Sequence, residues 1–326
     1  IIAALFLSYF DYQVYTKFWP VIAVFCVIIM LVLFKWGTGP SSRPDARTWL
    51  SIGPINFQPS ELVKIGFIIT FGVHLDKVKE KINNIFSILQ LGAHAAVPIV
   101  LVAATGDMGS ALVFMVIAIV MMFVAGVHWG YFLGGIALVG AATPLIWTYV
   151  LKQLQKDRFL ALIYPDLYPD IIYQQQRGLN AIGAGGITGQ GLFKGAYTQA
   201  GAVPESQNDM IFSVVGEEFG FIGCITALLL IVLITVRIIY VGKKSSEQST
   251  NLICTGMAAM IIGQMIINVG MCLMLLPVIG ITLPFFSAGG SSNLCVYLGI
   301  GIVMSIYRHN CDTGAVNIRV YDSLKK

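Results

Sequence analysis

Residues 209–241 read DMIFSVVGEEFGFIGCITALLLIVLITVRIIYV. Past Glu218 the one charged side chain in this run is Arg237. About 20 consecutive apolar residues are what an α-helix needs to cross the hydrocarbon core of a bilayer. This run is longer than that, so its first turns are expected to protrude or the helix to tilt. Further apolar runs lie on either side, at 18–36, 61–75, 88–105, 107–125, 130–151, 250–276 and 291–308, with a partial run at 1–10. The whole chain has the same character: of 326 residues 57% are hydrophobic and 11% charged, against about 25% charged in a soluble domain. Lipid cannot satisfy exposed backbone amides, so spanning segments of this length must be helices. The predicted fold class is therefore all-α, a polytopic transmembrane helical bundle forming a single integral membrane domain over 1–326. The run before Asp11 is about half a span. The chain opens with neither Met nor a basic n-region, so this run is expected to be the tail of a helix that begins outside the sequence.

Several function classes are excluded or disfavoured. The net charge of +4 is small and dispersed, which is not the footprint of a nucleic-acid binder. The six cysteines include no CxxC pair and the four histidines no HExxH. They read as buried small hydrophobes rather than a zinc site or a disulfide framework. The glycine-rich stretch 183–195 (GAGGITGQGLFKG) matches neither GxGxxG nor GxxxxGK[ST]. Its glycines suit tight turns at positive φ, whose amides can approach a phosphate.

Lys and Arg in the short loops set the orientation. Lys77, Lys79 and Lys81 form one cluster, Arg237, Lys243 and Lys244 a second, and Arg308, Arg319, Lys325 and Lys326 a third. If every run crosses once, all three fall on one side, the cytoplasm. The opposite side then holds 36–60, the turn at 104–107, the long segment 152–208 and 277–290. A connector as long as 152–208 is functional or disordered. Its Tyr-Pro-Asp and glycine-rich composition, without a low-complexity tract, favours a folded lid or rim.

The candidate chemistry gathers on that outer side. Glu61 and Lys64 stand at i and i+3, on one helix face where they can pair. Either they neutralise each other and fix packing, or Lys64 offers charge to an anionic substrate. Asp107 is either a plain N-cap or a carboxylate that binds a cation or orients a partner group. Asp209 follows Pro204-Glu205-Ser206-Gln207-Asn208. It too reads as a cap, with Ser206 and Asn208 as rivals, or as a general base on a sugar hydroxyl. Glu205 shares its face if the stretch is helical, and like charges raise each other's pKa. Glu217 and Glu218 inside an apolar run are either solvated on a protruding turn or need partners, for which Arg177, Lys194 and Lys64 are candidates. The small residues Ser291 and Ser292 open the last helix, as a re-entrant turn or an anion site.

Motif blocks then carry a resemblance. WLSIG at 49–53 with FQPSELVK at 57–64, GDMGSAL at 106–112, the glycine stretch 183–191, PESQNDMIF at 204–212 with GEEFG at 216–220, NVGM at 268–271 and PFFSAGGSS at 284–292 together resemble, in order, the SEDS family of RodA, FtsW and SpoVE. The resemblance implies about nine of the family's ten transmembrane helices, with the first helix and part of the second missing, and a large extracellular loop over 152–208. It implies a peptidoglycan glycosyltransferase acting on lipid II at the outer face of the bacterial cytoplasmic membrane, in cell-shape, division or spore-wall synthesis. The family's essential loop aspartate falls on Asp209, its intramembrane pair on Glu61 and Lys64, and its PDLG aspartate on Asp107. Its partner is a class B penicillin-binding protein. The chain departs from the family at Gln207, Asn208 and Gly106, where His, Thr and Pro are usual. In the reaction expected on this basis, Arg177, Lys194, Lys64 or a divalent cation (Mg or Mn) neutralises the leaving pyrophosphate. The rival readings are a lipid II flippase or other lipid transporter, and a non-catalytic scaffold for a penicillin-binding protein. Carboxylates gathered toward one side favour the enzyme over a full-depth transport path.

Overall fold

The computed structural model describes residues 1–39, 46–53 and 55–323. Lys325 and Lys326, counted above in the third basic cluster, lie outside the described residues. The chain runs α1 (Ile2–Ser8), α2 (Tyr12–Lys17), α3 (Trp19–Trp36), a hairpin of β1 (Leu50–Ile52) and β2 (Ile55–Phe57), α4 (Pro59–Lys77), α5 (Ile85–Ala104), α6 (Met108–Val124) and α7 (Trp129–Leu145). There follow α8 (Gln153–Ile163), α9 (Pro169–Gly185), α10 (Ala196–Gln199), α11 (Ile211–Lys244), α12 (Gln248–Cys272) and α13 (Gly290–Ser323). Each apolar run of the sequence falls on a helix. Among the described residues, six helices are long and apolar enough to cross a membrane: α3, α5, α7 with its π-turn extension, α11, α12 and the Gly290–His309 part of α13. The protein is a multi-pass membrane protein. The hairpin, in the register Leu50↔Phe57 and Ser51↔Asn56, is a small departure from a purely helical chain.

Local chemistry starts the helices where the sequence places them. Asn84 caps α5 by accepting from the Phe86 amide at 3.0 Å, and Asp107 caps α6 by accepting from Ser110 N at 3.0 Å. Each satisfies a donor that the first helical turn leaves without an internal partner.

The described chain forms two compact units. The first comprises 1–126, 233–263 and 290–326. At its centre is α4, buried from Pro59 to Val73 except at Leu62. Small residues let helices approach closely there, as is usual in membranes. A Cβ added at Gly256 of α12 would come within 2.6 Å of Ile68 on α4 and 2.7 Å of the Met121 sulfur on α6. α1 lies so near α13 that a Cβ at Gly301 would meet the Ala4 carbonyl oxygen at 2.8 Å.

The second unit comprises 127–232 and 264–289. Residues 152–208 within it carry α8, α9 and α10, so this connector has regular structure of its own. Beyond Cys272 the chain to Gly289 is irregular, and side chains from α8 and α9 hold it. Gln175, 2% exposed, donates through Nε2 to Met271 O at 2.8 Å and Leu276 O at 2.7 Å. Arg158 Nη1 donates to Val278 O at 2.7 Å. Helix ends leave their last carbonyls without internal partners, and here the amide of Gln175 supplies one.

The apolar run 209–241 is two helices. α11 breaks at Gly220, whose φ of 66° and ψ of −163° are not helical. In an unbroken helix the carbonyls of Glu217 and Glu218 would accept from Phe221 N and Ile222 N. Instead they accept from Gln190 N at 3.0 Å and Gly191 N at 2.9 Å, while Phe221 N and Ile222 N donate to Gly186 O at 2.9 Å and Ile187 O at 3.2 Å. The glycine stretch thus repairs the helix break bond for bond, as buried backbone groups require. This corrects two expectations. The amides of Gln190 and Gly191 face the protein backbone rather than a phosphate. Glu217 and Glu218 are buried, at 0% and 4% exposure, and are not solvated on a protruding turn.

Nor do these acids pair with Arg177, Lys194 or Lys64. Glu217 accepts from Tyr197 N at 2.6 Å, from Thr198 N at 2.9 Å and from the Thr198 hydroxyl. It therefore caps α10 from a distant part of the chain. Glu218 accepts from Gln199 Nε2 at 3.2 Å. A carboxylate at a helix N-terminus meets orphan amides and the positive end of the dipole, which replaces a cation.

Gly220 has the one backbone conformation that makes this exchange possible, in a φ/ψ region open essentially to glycine alone. A Cβ there would also lie 2.4 Å from Gly189 N and 2.6 Å from Ile187 C. Gly220→Ala is expected to destabilise the protein by at least about 1–3 kcal/mol, measured as a lower thermal unfolding midpoint in detergent.

Candidate active site

The sequence-predicted residues fall into two clusters, one in each unit. In the first unit, the β2–α4 junction meets the N-termini of α6 and α13. Asp107 is 7% exposed and both carboxylate oxygens are engaged. Oδ1 holds the α6 amide described above, and Oδ2 accepts from Gln58 Nε2 at 2.8 Å and Ser60 Oγ at 3.0 Å. Ser291 Oγ accepts from Gln58 N at 3.1 Å and donates to Asn56 O at 3.4 Å. Asp107 is thus both a cap and the anchor of the turn that leads into α4. Ser291 ties the start of α13 to the same turn, which is the turn reading of that motif. Ser292 is buried beside it, at 7% exposure.

One turn into α4, Lys64 Nζ lies 2.7 Å from Glu61 Oε1, with the lysine side chain 0% and the glutamate side chain 6% exposed. The i, i+3 spacing makes the pair that the sequence suggested. With no exposed surface, Lys64 presents no charge to a substrate in this conformation. The pair holds itself neutral inside the helix packing, as buried charges must.

In the second unit, Asp209 lies two residues before α11. The stretch from Val203 to Met210 is a series of turns, with Glu205 at a φ of 52°. It is not a helix, so Glu205 and Asp209 do not share a helical face; Glu205 is exposed and accepts from Asn208 Nδ2 at 2.9 Å. Three consecutive carbonyls fix the loop. Gln207 O accepts from Ala288 N at 2.8 Å, Asn208 O from Ser287 Oγ at 2.8 Å, and Asp209 O from Asn268 Nδ2 at 2.8 Å. Asn268, 0% exposed, also donates to Ile281 O at 2.7 Å, and Leu283 N donates to Ser287 Oγ at 2.8 Å. Met210, 0% exposed, anchors the following residue against Gly178, where an added Cβ would lie 2.3 Å from the methionine Cε. The main chain of Asp209 is therefore held on both sides while its side chain is half-buried.

Of the candidate cations in this unit, Arg177 is half-buried and stacks over the Tyr173 ring at 5.1 Å. Lys194 is exposed. Among the described residues no group of three or more His, Cys, Asp or Glu side chains is placed to hold a metal ion.

Gln58, Ser60, Gln175, Asn268 and Ser287 organise these clusters without having been singled out individually from the sequence. A signal existed for Asn268: an amide side chain in the middle of the 250–276 apolar run is costly unless it is paired. None existed for Gln175, which sits on an ordinary amphipathic helix.

A family model described as "Cell cycle protein", covering FtsW, RodA and SpoVE, matches residues 1–312. The chain is 29% identical over 300 residues to the peptidoglycan glycosyltransferase MrdB of Escherichia coli strain K12, covering 91% of this chain and 80% of that protein. It is 32% identical over 303 residues to the probable peptidoglycan glycosyltransferase FtsW of Geobacter sp. strain M18, again covering 91% and 80%. Among solved structures it superposes with a TM-score of 0.81 and 26% identity on a chain of a peptidoglycan synthase complex studied for the coordination of polymerization and crosslinking, covering 95% of this chain and 86% of that one. The fold also matches that of the rod shape determining protein RodA of Thermus thermophilus, with a TM-score of 0.69 at 24% identity over 95% and 84% of the two chains. A family match over residues 1–312, with relatives covering nine-tenths of the chain, leaves one conclusion: the chain belongs to the FtsW/RodA/SpoVE family of cell cycle proteins.

Proposed function

We propose that this chain, a peptidoglycan glycosyltransferase of cell-shape or division wall synthesis, polymerises lipid II at the outer face of the cytoplasmic membrane with Asp209 as its general base. The observation that carries the assignment is the clamp on the Asp209 loop. Three neighbouring carbonyls are gripped, and the carboxylate is left half-buried rather than sealed in the core. Asp107 has both oxygens committed to the fold, and is proposed as a positioning residue.

In the proposed reaction the Asp209 carboxylate takes the proton of the acceptor sugar's 4-hydroxyl. That oxygen attacks the anomeric carbon of the donor. The bond from that carbon to the pyrophosphate oxygen breaks, and undecaprenyl pyrophosphate leaves with the electron pair. A single displacement inverts the anomeric centre. Arg177 and Lys194, two of the cations of the same unit, are the groups proposed to meet the departing charge. Similarity to a chain from a synthase complex that couples polymerization to crosslinking supports a partner that supplies the crosslinking, a class B penicillin-binding protein.

The test is incubation of the purified full-length protein and its partner with labelled lipid II. Glycan strands are expected. No strands, together with movement of labelled lipid II across vesicle membranes, would replace the polymerase by a transporter.

Asn268 gives a second, graded check. Asn268→Ala removes the donor to two carbonyls, and a positional error of about 1 Å at a catalytic group costs on the order of 10²-fold in rate. The expected result is a lower kcat with KM little changed, since no lipid II contact is assigned to Asn268. A change confined to KM would contradict the positioning role.

A further inference from the structure

We propose that the groove between α11 and α13 binds an anionic phospholipid from the leaflet on the Lys243–Lys244 side. The groove has a volume of about 420 Å³ and is walled by apolar side chains including Leu233, Ile238, Val303 and Met304, with Arg237 and Tyr307 also in the lining. From Leu233 to Val241 it follows α11 for about 12 Å, a length that suits an acyl chain.

The polar end of the groove decides what kind of lipid fits. Arg237 is exposed on a helix that is otherwise apolar up to Val241. Among the described residues neither Arg237, Lys243 nor Lys244 forms an ion pair with a carboxylate, as Lys64 and Lys79 do. The Arg237 guanidinium instead lies over the rings of Tyr240 at 5.2 Å and Tyr307 at 5.5 Å, and Lys244 Nζ lies over Tyr240 at 4.7 Å. A cation on the lipid-facing side of a helix is costly unless it reaches an anion at the interface. A phosphate diester is the anion that a bilayer supplies at that depth, and the planar guanidinium fork matches it. Tyrosines mark the headgroup level. The positive-inside rule puts this end in the cytoplasmic leaflet, where anionic lipids concentrate. An apolar groove lined also by the Arg237 guanidinium and the Tyr307 ring, with Tyr240 and Lys244 beside them, therefore fits a two-part ligand, acyl chain and phosphate.

The experiment uses the full-length protein, stripped of lipid in neutral detergent and offered equal amounts of phosphatidylglycerol and phosphatidylcholine. Lipid retained is read by native mass spectrometry. Wild type is expected to retain phosphatidylglycerol roughly tenfold over phosphatidylcholine, with Arg237→Gln lowering that retention about fivefold. Met304→Trp, which fills the groove and leaves every charge in place, is expected to lower it as well. Lys79→Gln, a charge removed on the same side but away from the groove, should change nothing. Melting in lipid-free detergent identifies a variant that has failed to fold, and the other groove variant then decides. Equal retention of the two lipids would overturn the proposal. So would wild-type retention in Arg237→Gln, wild-type retention in Met304→Trp (diffuse surface charge), or full displacement by equimolar inorganic phosphate (a headgroup-only site).

Discussion

Asp209→Asn is expected to abolish glycan polymerisation while leaving the protein folded. The amide has the shape of the carboxylate but cannot take a proton, and a positioned general base contributes about 10²–10⁴-fold. The three hydrogen bonds that place the loop go to main-chain carbonyls of residues 207, 208 and 209, which the substitution leaves intact. Stability is therefore expected to stay within about 0.5 kcal/mol of wild type, the usual range for substitutions outside the core. Single-turnover assays with labelled lipid II, run beside thermal unfolding, separate the two effects. Asp209→Glu keeps the base but lengthens it by a methylene, so a partial rate is expected. If Asp209→Asn polymerises within twofold of wild type, the proton acceptor lies elsewhere. Should it instead fail to fold, the loop's carboxylate is structural and the assignment of its role has to be withdrawn.

The second large effect is expected at Lys64. Lys64→Met removes the ammonium that lies 2.7 Å from Glu61 in a site where the two side chains are 0% and 6% exposed. The carboxylate is then left alone among apolar neighbours on α4, and breaking a buried pair from one side costs about 3–5 kcal/mol. The folded fraction in detergent and the unfolding midpoint should both fall sharply. Glu61→Gln combined with Lys64→Met removes both charges at nearly constant volume and is expected to recover most of the loss, because replacing a whole buried pair by neutral groups is often close to neutral. Recovery in the double variant is what distinguishes an uncompensated charge from lost packing. A Lys64→Met protein as stable as wild type would mean that Glu61 has another partner.

Taken together, these two sites divide the labour of the molecule. The Asp209 loop is gripped through its backbone, and the half-buried residue is the one proposed for the chemistry. The Glu61–Lys64 and Asp107 clusters use their side chains up in holding the fold. This explains why three charged residues on the outer side of the sequence are expected to respond differently. Loss of Asp209 should read as a rate, loss of Lys64 as stability. Loss of Asp107 should read as both, since the turn into α4 and the start of α6 share it.

The sequence by itself determined the features whose causes are local. Apolar length gave the spans, because about 20 residues are needed to cross the hydrocarbon core whatever surrounds them. The cap at Asp107 was legible because a cap bonds an amide two or three residues away. The Glu61–Lys64 pair was legible for the same reason, since i and i+3 meet on any helix. The tertiary structure alone decided the partners that come from far along the chain. Glu217 looked like a charge in need of a cation, but its partners are the amides of Tyr197 and Thr198, brought there by a helix break that no apolar pattern reveals. The 209–241 run read as one long apolar segment, yet it is two helices, because Gly220 turns the chain and the glycine loop 186–191 supplies the missing hydrogen bonds. Asn268 and Gln175 were visible as polar residues, but their acceptors lie across loops that sequence spacing cannot connect. Backbone groups must be satisfied somewhere; composition requires that it happen, and only the folded chain determines where.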